Sequence, residues 1–146
     1  MKVELFSADL TTVLPLPYAD MGVRAGFPSP AQDYMTESID LNRDIIKHRA
    51  TTFYARCVGD SMREAGIDEG DILVIDKSLE AKDGDIVIAF LDGEFTVKRL
   101  KADIENGKMW LIPENPNYSP IEIHEDNSFM IWGVVTHNIK SLHRPE

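Results

Sequence analysis

The stretch Ile86–Leu100, IVIAFLDGEFTVKRL, decides how the rest of the chain is read. Two runs rich in β-branched and aromatic residues, Ile86 to Leu91 and Phe95 to Leu100, flank Asp92 and Gly93. Glycine takes a positive φ without a Cβ clash, so Leu91-Asp92-Gly93-Glu94 predicts a tight hairpin. Alternation along the returning strand puts Lys98 on the face that carries Thr96 and Leu100.

Runs of the same character recur on both sides: Phe53 to Val58, Ile72 to Ile75, Met109 to Ile112, Ile121 to Ile123 and Phe129 to Ile139. Gly66, Gly70 and Gly84 punctuate the segments between them. Short β-prone runs at this spacing predict a mainly β body over residues 31–146. Residues 1–30 read differently, because Pro15, Pro17, Pro28 and Pro30 would interrupt a helix or a central strand. They are expected to form an extended N-terminal arm. Ser29, Pro30 and Gln32 together make a helix-start signature, predicting a short helix from about Pro30 to Met35. Asp40 is placed to cap a second short turn through Leu41, Ile45 and Ile46.

With 146 residues the chain suits one domain of ordinary size, and a 43% hydrophobic share is enough for a real core. The formal net charge of −10 disfavours direct binding to DNA phosphates, so no sequence-specific DNA contact is expected. The N-terminus carries Glu4 and Asp9 without an apolar segment and does not read as a secretory signal. No uncharged run approaches the ~20 apolar residues of a membrane-spanning helix, so no membrane association is expected. Cys57 is the only cysteine, which rules out an internal disulfide and fits the cytoplasm. His48, His124, His137 and His143 lack ligand spacing, so neither a metal nor any other cofactor is expected.

One segment has the makings of a nucleophile. Val58-Gly59-Asp60-Ser61-Met62 ends a β-run in a glycine and sets Ser61 at the start of a short helical turn closed by Gly66. A serine there can expose its hydroxyl beside free backbone N–H groups, as acyl transfer requires. Serine after glycine is common, and the plainer reading of this local pattern is a turn or cap residue. No histidine is placed to activate it, which leaves lysine. At pH 7 only about 0.04% of an ordinary lysine is neutral, but desolvation lowers the pKa. Lys98 is the best-placed candidate, and its plain alternative is a solvated strand lysine; spacing alone does not choose.

Five blocks carry a wider resemblance: Gly26-Phe27-Pro28-Ser29-Pro30-Ala31, Gly59-Asp60-Ser61-Met62, Gly70-Asp71, Gly84-Asp85-Ile86-Val87 and Asp92 through Lys98. In this order they closely resemble the UmuD branch of the LexA-like self-cleaving Ser/Lys protease family. The resemblance implies a LexA/signal-peptidase-like β-rich body, with Ser61 as nucleophile and neutral Lys98 as general base. It implies an oxyanion hole from the backbone N–H groups of Asp60 and Ser61. The implied substrate is the chain's own arm, cut between Ala25 and Gly26, where a small residue precedes a glycine. Members of the UmuD branch often carry cysteine before this glycine and the repressors alanine; Ala25 keeps the side chain small. The implied partners are a second copy of the chain in a homodimer, a RecA filament on single-stranded DNA as trigger, and a UmuC-type error-prone translesion polymerase. This would be an SOS-response function.

Residues 1–26 hold two basic side chains, three acidic ones and two prolines, which does not fit the helix-turn-helix domain of a LexA-type repressor. Between Asp60 and Glu94 three basic residues face eleven acidic ones, more consistent with a solvated surface than with a basic partner. Cys57 reads as a buried thiol, Asp71 and Asp85 as turn formers, and Trp110, Trp132 and Phe129 as core or interface aromatics. Two rival readings stand beside the protease: a non-catalytic interaction module of the same fold, and a signal-peptidase-like enzyme acting on other proteins, which would need a membrane anchor.

Overall fold

The computed structural model describes residues 1–8, 15–19 and 35–143. Among these, ten strands and one short α-helix follow in chain order: β1 (Lys2–Ser7), β2 (Pro15–Ala19), β3 (Met35–Asp40), α1 (Leu41–Asp44), β4 (Thr52–Val58), β5 (Ile72–Asp76), β6 (Ile86–Leu91), β7 (Glu94–Asp103), β8 (Lys108–Ile112), β9 (Ile121–Glu122) and β10 (Phe129–Ile139). The chain divides into two compact units, Met1–Ala8 with Ala50–Glu146, and Asp9–Arg49.

The larger unit is one antiparallel sheet in the order β1-β4-β5-β10-β6-β7-β8-β9. Lys2 of β1 also pairs with Thr96 of β7, so the sheet curls back on itself and leaves β8 and β9 as an extension. The mainly β expectation holds, and each of the seven β-runs becomes a strand. The β6–β7 hairpin turns at Asp92 (φ 47°) and Gly93 (φ 90°), with Leu91 paired to Glu94. Positive φ at both central residues matches the twist of the flanking strands. Asp92 is held there as its carboxylate accepts from the Ser128 N–H at 3.1 Å.

Curling gives β6 two buried faces, which explains its nearly unbroken apolar run. Ile88 belongs to one core cluster with Ala55, Cys57, Met62, Ile67, Leu73, Ile75 and Val97. Val87 and Ala89 belong to the other, with Leu100, Leu111 and Val134. Trp132 packs against the first cluster, edge-on to Phe53 (5.0 Å between ring centroids) and Phe95 (5.9 Å).

The division expected at residue 30 is not where the units divide. Lys2–Ser7, counted with the arm, are a strand of the sheet, paired from Lys2↔Val58 to Ser7↔Phe53. The free edge of β4 needs a partner, and a short alternating segment supplies one despite the prolines that follow. In the smaller unit Pro15–Ala19 pair with Met35–Asp40 in a two-stranded sheet. Both of its strands are edges, where proline is tolerated. Met35 therefore begins a strand rather than ending a helix; residues 30–34 of the expected helix lie outside the described residues. The second short turn is present: the Asp40 carboxylate accepts from the Asn42 N–H at 3.0 Å and caps α1.

Candidate active site

β4 ends at Val58 and the chain turns sharply through Gly59, whose φ of 99° lies in the region that side chains disfavour. Nothing lies within 4 Å of where a Cβ would stand, so the backbone angle, not space, demands glycine here. A 3-10 turn over Arg63–Ala65 follows and closes on Gly66, whose N–H donates to the Arg63 carbonyl. Between them the turn sinks inward: Ser61 is 1% exposed and Met62 fully buried in the core.

Lys98 comes from the middle of β7 and is 6% exposed. Its Nζ donates to Ser61 Oγ at 2.8 Å and to Thr96 Oγ1 at 3.3 Å. Thr96 lies on the same face, as strand alternation requires. Across the β6–β7 ladder Lys98 stands opposite Val87 and Thr96 opposite Ala89, both fully buried. Directly opposed residues share a sheet face, so the lysine is flanked by hydrocarbon. Burial accordingly pushes the Lys98 ammonium below its ordinary lysine range. No carboxylate bonds its Nζ among the described residues.

β1 reaches the same place. Thr96 Oγ1 donates to the Met1 carbonyl at 2.8 Å and accepts from the Met1 amino group at 3.2 Å, while the Val97 N–H donates to the Met1 carbonyl at 3.0 Å. Burial, followed by its hydrogen bond and charge repulsion with Lys98, lowers the Met1 amine to about 4.

The arrangement has the parts of a Ser/Lys acyl-transfer centre: a hydroxyl, a desolvated amine in hydrogen-bond contact, and backbone donors beside them. Among the described residues neither the Asp60 nor the Ser61 backbone N–H donates to a protein acceptor. The structure thus brings together Ser61, Lys98 and the backbone of Asp60, three of the elements expected from the sequence. Ala25 and Gly26 lie outside the described residues.

Comparison with known proteins gives the family. The chain matches the peptidase S24-like family over residues 17–136. It belongs to that family. The chain is 40% identical to Protein MucA of Salmonella typhimurium over 141 residues, covering 95% of this chain and 94% of MucA. Protein ImpA of Salmonella typhimurium is 43% identical over 140 residues, 91% of this chain and 88% of ImpA. The LexA repressor of Ectopseudomonas mendocina is 42% identical over 113 residues, which cover 77% of this chain and 54% of the repressor. The resemblance to a UmuD/LexA-like family is thereby borne out, and with it membership of a peptidase family.

Other expectations resolve as structural roles. Cys57 is buried, and burial, with the nearby Asp71 charge, raises its thiol to about 11. Asp85 is a turn residue whose carboxylate accepts from the Lys82 N–H at 2.9 Å. Asp71 does more: its Oδ2 accepts from the Asp68 N–H (2.8 Å), from Asn138 Nδ2 (3.0 Å) and from Lys140 Nζ (2.6 Å). Burial works to raise the Asp71 carboxyl, but these donors outweigh it and hold the group below the usual range. Asn138 also donates to the Gly66 carbonyl, tying the C-terminal strand to the end of the Ser61 turn. Among the described residues no helix is long and apolar enough to cross a membrane.

Sequence reasoning missed the β8–β9 loop. The Glu114 N–H donates to the Ser61 carbonyl (2.8 Å), and the Glu64 N–H donates to the Glu114 carbonyl (2.8 Å). Asn115 Nδ2 donates to the Asp60 carbonyl (2.9 Å), and the Tyr118 hydroxyl donates to Asp60 Oδ1 (2.6 Å). The Arg99 guanidinium pairs with the Glu114 carboxylate and donates to the Gly84 carbonyl at 2.6 Å, fastening this loop to β7. In the sequence, Glu114-Asn115-Pro116 signals only a turn.

Proposed function

We propose that the chain is a self-cleaving serine protease that cuts itself between Ala25 and Gly26 with a Ser61/Lys98 dyad. The observation that carries this reading is the 2.8 Å contact between two buried groups, Lys98 Nζ and Ser61 Oγ. A buried amine with hydrocarbon beside it favours its neutral form, and a neutral amine can accept the hydroxyl proton.

As Ser61 Oγ bonds to the Ala25 carbonyl carbon, its proton passes to Lys98 Nζ. The carbonyl oxygen becomes an oxyanion facing the Asp60 and Ser61 N–H groups. When the Ala25–Gly26 bond breaks, Lys98 returns the proton to the departing Gly26 nitrogen, leaving Ala25 esterified to Ser61. Water, deprotonated by neutral Lys98, then hydrolyses the ester. A scissile segment on the same chain meets the dyad at high effective concentration. Gly26 lacks a Cβ and can take backbone angles that other residues disfavour.

An always-competent centre would consume the intact chain, so a trigger must shift the population of cleavable states. Following the family resemblance, we assign that role to a RecA filament on single-stranded DNA. The trimmed homodimer then serves a UmuC-type translesion polymerase in the cytoplasm during the SOS response.

The test is incubation of the purified chain at pH about 9.5 to 10, where lysine neutralisation is favoured. Mass spectrometry should show slow release of residues 1–25 from the parent, and none from Ser61→Ala or Lys98→Ala. Cleavage of either variant at the parental rate defeats the assignment and favours a non-catalytic interaction module.

A further inference from the structure

The backbone that offers the two oxyanion donors is not held by its own turn alone. We propose that Asn115 is a positioning residue for the oxyanion hole, aiming the Ser61 N–H by gripping the carbonyl on the other side of the same peptide. This inference rests on the Ser61/Lys98 reading.

The Asp60–Ser61 peptide is trans, so its carbonyl and its N–H point in opposite directions. The Asp60 carbonyl accepts from Asn115 Nδ2 at 2.9 Å and from the Arg63 N–H at 3.2 Å. Fixing that oxygen fixes the direction of the Ser61 N–H. Hydrogen bonding to the oxygen also polarises the peptide and strengthens the opposite donor.

Asn115 is itself held so that it can do this and little else. Its Oδ1 accepts from the Asn117 N–H at 2.9 Å, and its carbonyl accepts from the Tyr118 N–H at 3.1 Å. Asn117 N–H can only donate and the Asp60 carbonyl can only accept, so the amide has one orientation that satisfies both. Pro116 restricts the Asn115 backbone to extended angles. The residue is 7% exposed, which keeps water from competing for the Asp60 carbonyl. Tyr118 and Glu114, from the same loop, bond Asp60 Oδ1 and the Ser61 carbonyl and brace the peptide on both sides. Among the described residues Asn115 makes no hydrogen bond to Lys98, whose Nζ bonds Ser61 and Thr96, so its effect is separable from the ionisation of the base.

The test compares the full-length parent with Asn115→Asp and Asn115→Ala. Asn115→Asp keeps the acceptor for the Asn117 N–H but loses the donor to Asp60. Removing one oxyanion donor costs about a hundredfold to a thousandfold; misaiming one should cost about tenfold to a hundredfold. The expected result is a plateau cleavage rate at alkaline pH lowered by that factor in both variants, with the midpoint of the pH–rate curve unmoved. In the uncleavable Ser61→Ala chain, adding Asn115→Asp should shift the amide nitrogen resonance of residue 61. A parental plateau overturns the inference. So does a fall accompanied by a midpoint moved up to the ordinary lysine range, which would mean a general opening of the site. Loss of the folded state in both variants also overturns it, since Asn115 would then be a folding residue. Should Ser61→Ala itself cleave at the parental rate, the Ser/Lys reading fails; if it is inert while Asn115→Asp matches the parent, only the role of Asn115 fails.

Discussion

Lys98 stands directly opposite the fully buried Val87 in the β6–β7 ladder, with Ser61 Oγ 2.8 Å from its Nζ. A cation placed there loses hydration and gains hydrocarbon, which is why burial lowers its pKa. The rate of cleavage should therefore rise with pH and level off with a midpoint below the ordinary lysine value near 10.4. Replacing Val87 by Thr brings a polar atom to the lysine's flank and should move that midpoint upward. A pH–rate series on both proteins measures it, and a midpoint at the ordinary value in the parent would refute desolvation as the activating device.

The same depression has a consequence for stability. The unfolded chain binds a proton on Lys98 that the folded chain resists, so folding is opposed at neutral pH, and the opposition fades as pH climbs toward 10.4. Lys98→Met removes this term. Urea midpoints of parent and variant should converge from neutral pH upward, the parent gaining on the variant. Parallel curves would show that Lys98 titrates alike in both states.

Gly26→Val should stop processing without disturbing the fold, because a β-branched residue on the leaving side is barred from backbone angles that glycine can take. Mass spectrometry after alkaline incubation should find the intact chain, with an unchanged thermal midpoint. Release of residues 1–25 at the parental rate would exclude the Ala25–Gly26 bond.

Gly133 sits in β10, where the pairing with β6 shifts register between Ile131 and Gly133. A Cβ built there would lie 2.5 Å from Ile75 Cγ2, a core atom that is fully buried. Gly133→Ala should cost about 1–3 kcal/mol through overpacking. Ile75→Ala leaves a cavity of its own, and the double variant should be more stable than the sum of the two costs allows. Urea unfolding of the four proteins closes the cycle, and simple additivity would show that the two sites do not collide.

The seven strand runs and the Asp92-Gly93 hairpin were legible because alternation, β-branching and positive-φ turn residues are local properties that reach only a few residues along the chain. The same holds for the turn that begins at Gly59 and for the Asp40 cap. Lys2–Ser7 were not legible as part of the sheet: a short alternating segment acquires meaning only from the free edge of β4 fifty residues away. The β2–β3 pair escaped for a related reason, since proline bars a central strand but not an edge.

For the site, residue types and the neighbourhood of Ser61 came from the sequence, and the family blocks singled out Lys98 from the other lysines. What tertiary structure alone decided is the contact itself, across 37 residues, and the dryness around it. Desolvation depends on which side chains the sheet register sets beside the amine, and register is a property of paired strands rather than of either strand. The grip of Asn115 on the Asp60 carbonyl is of the same kind: an asparagine before a proline is only a turn until folding brings the β8–β9 loop against the Asp60–Ser61 peptide.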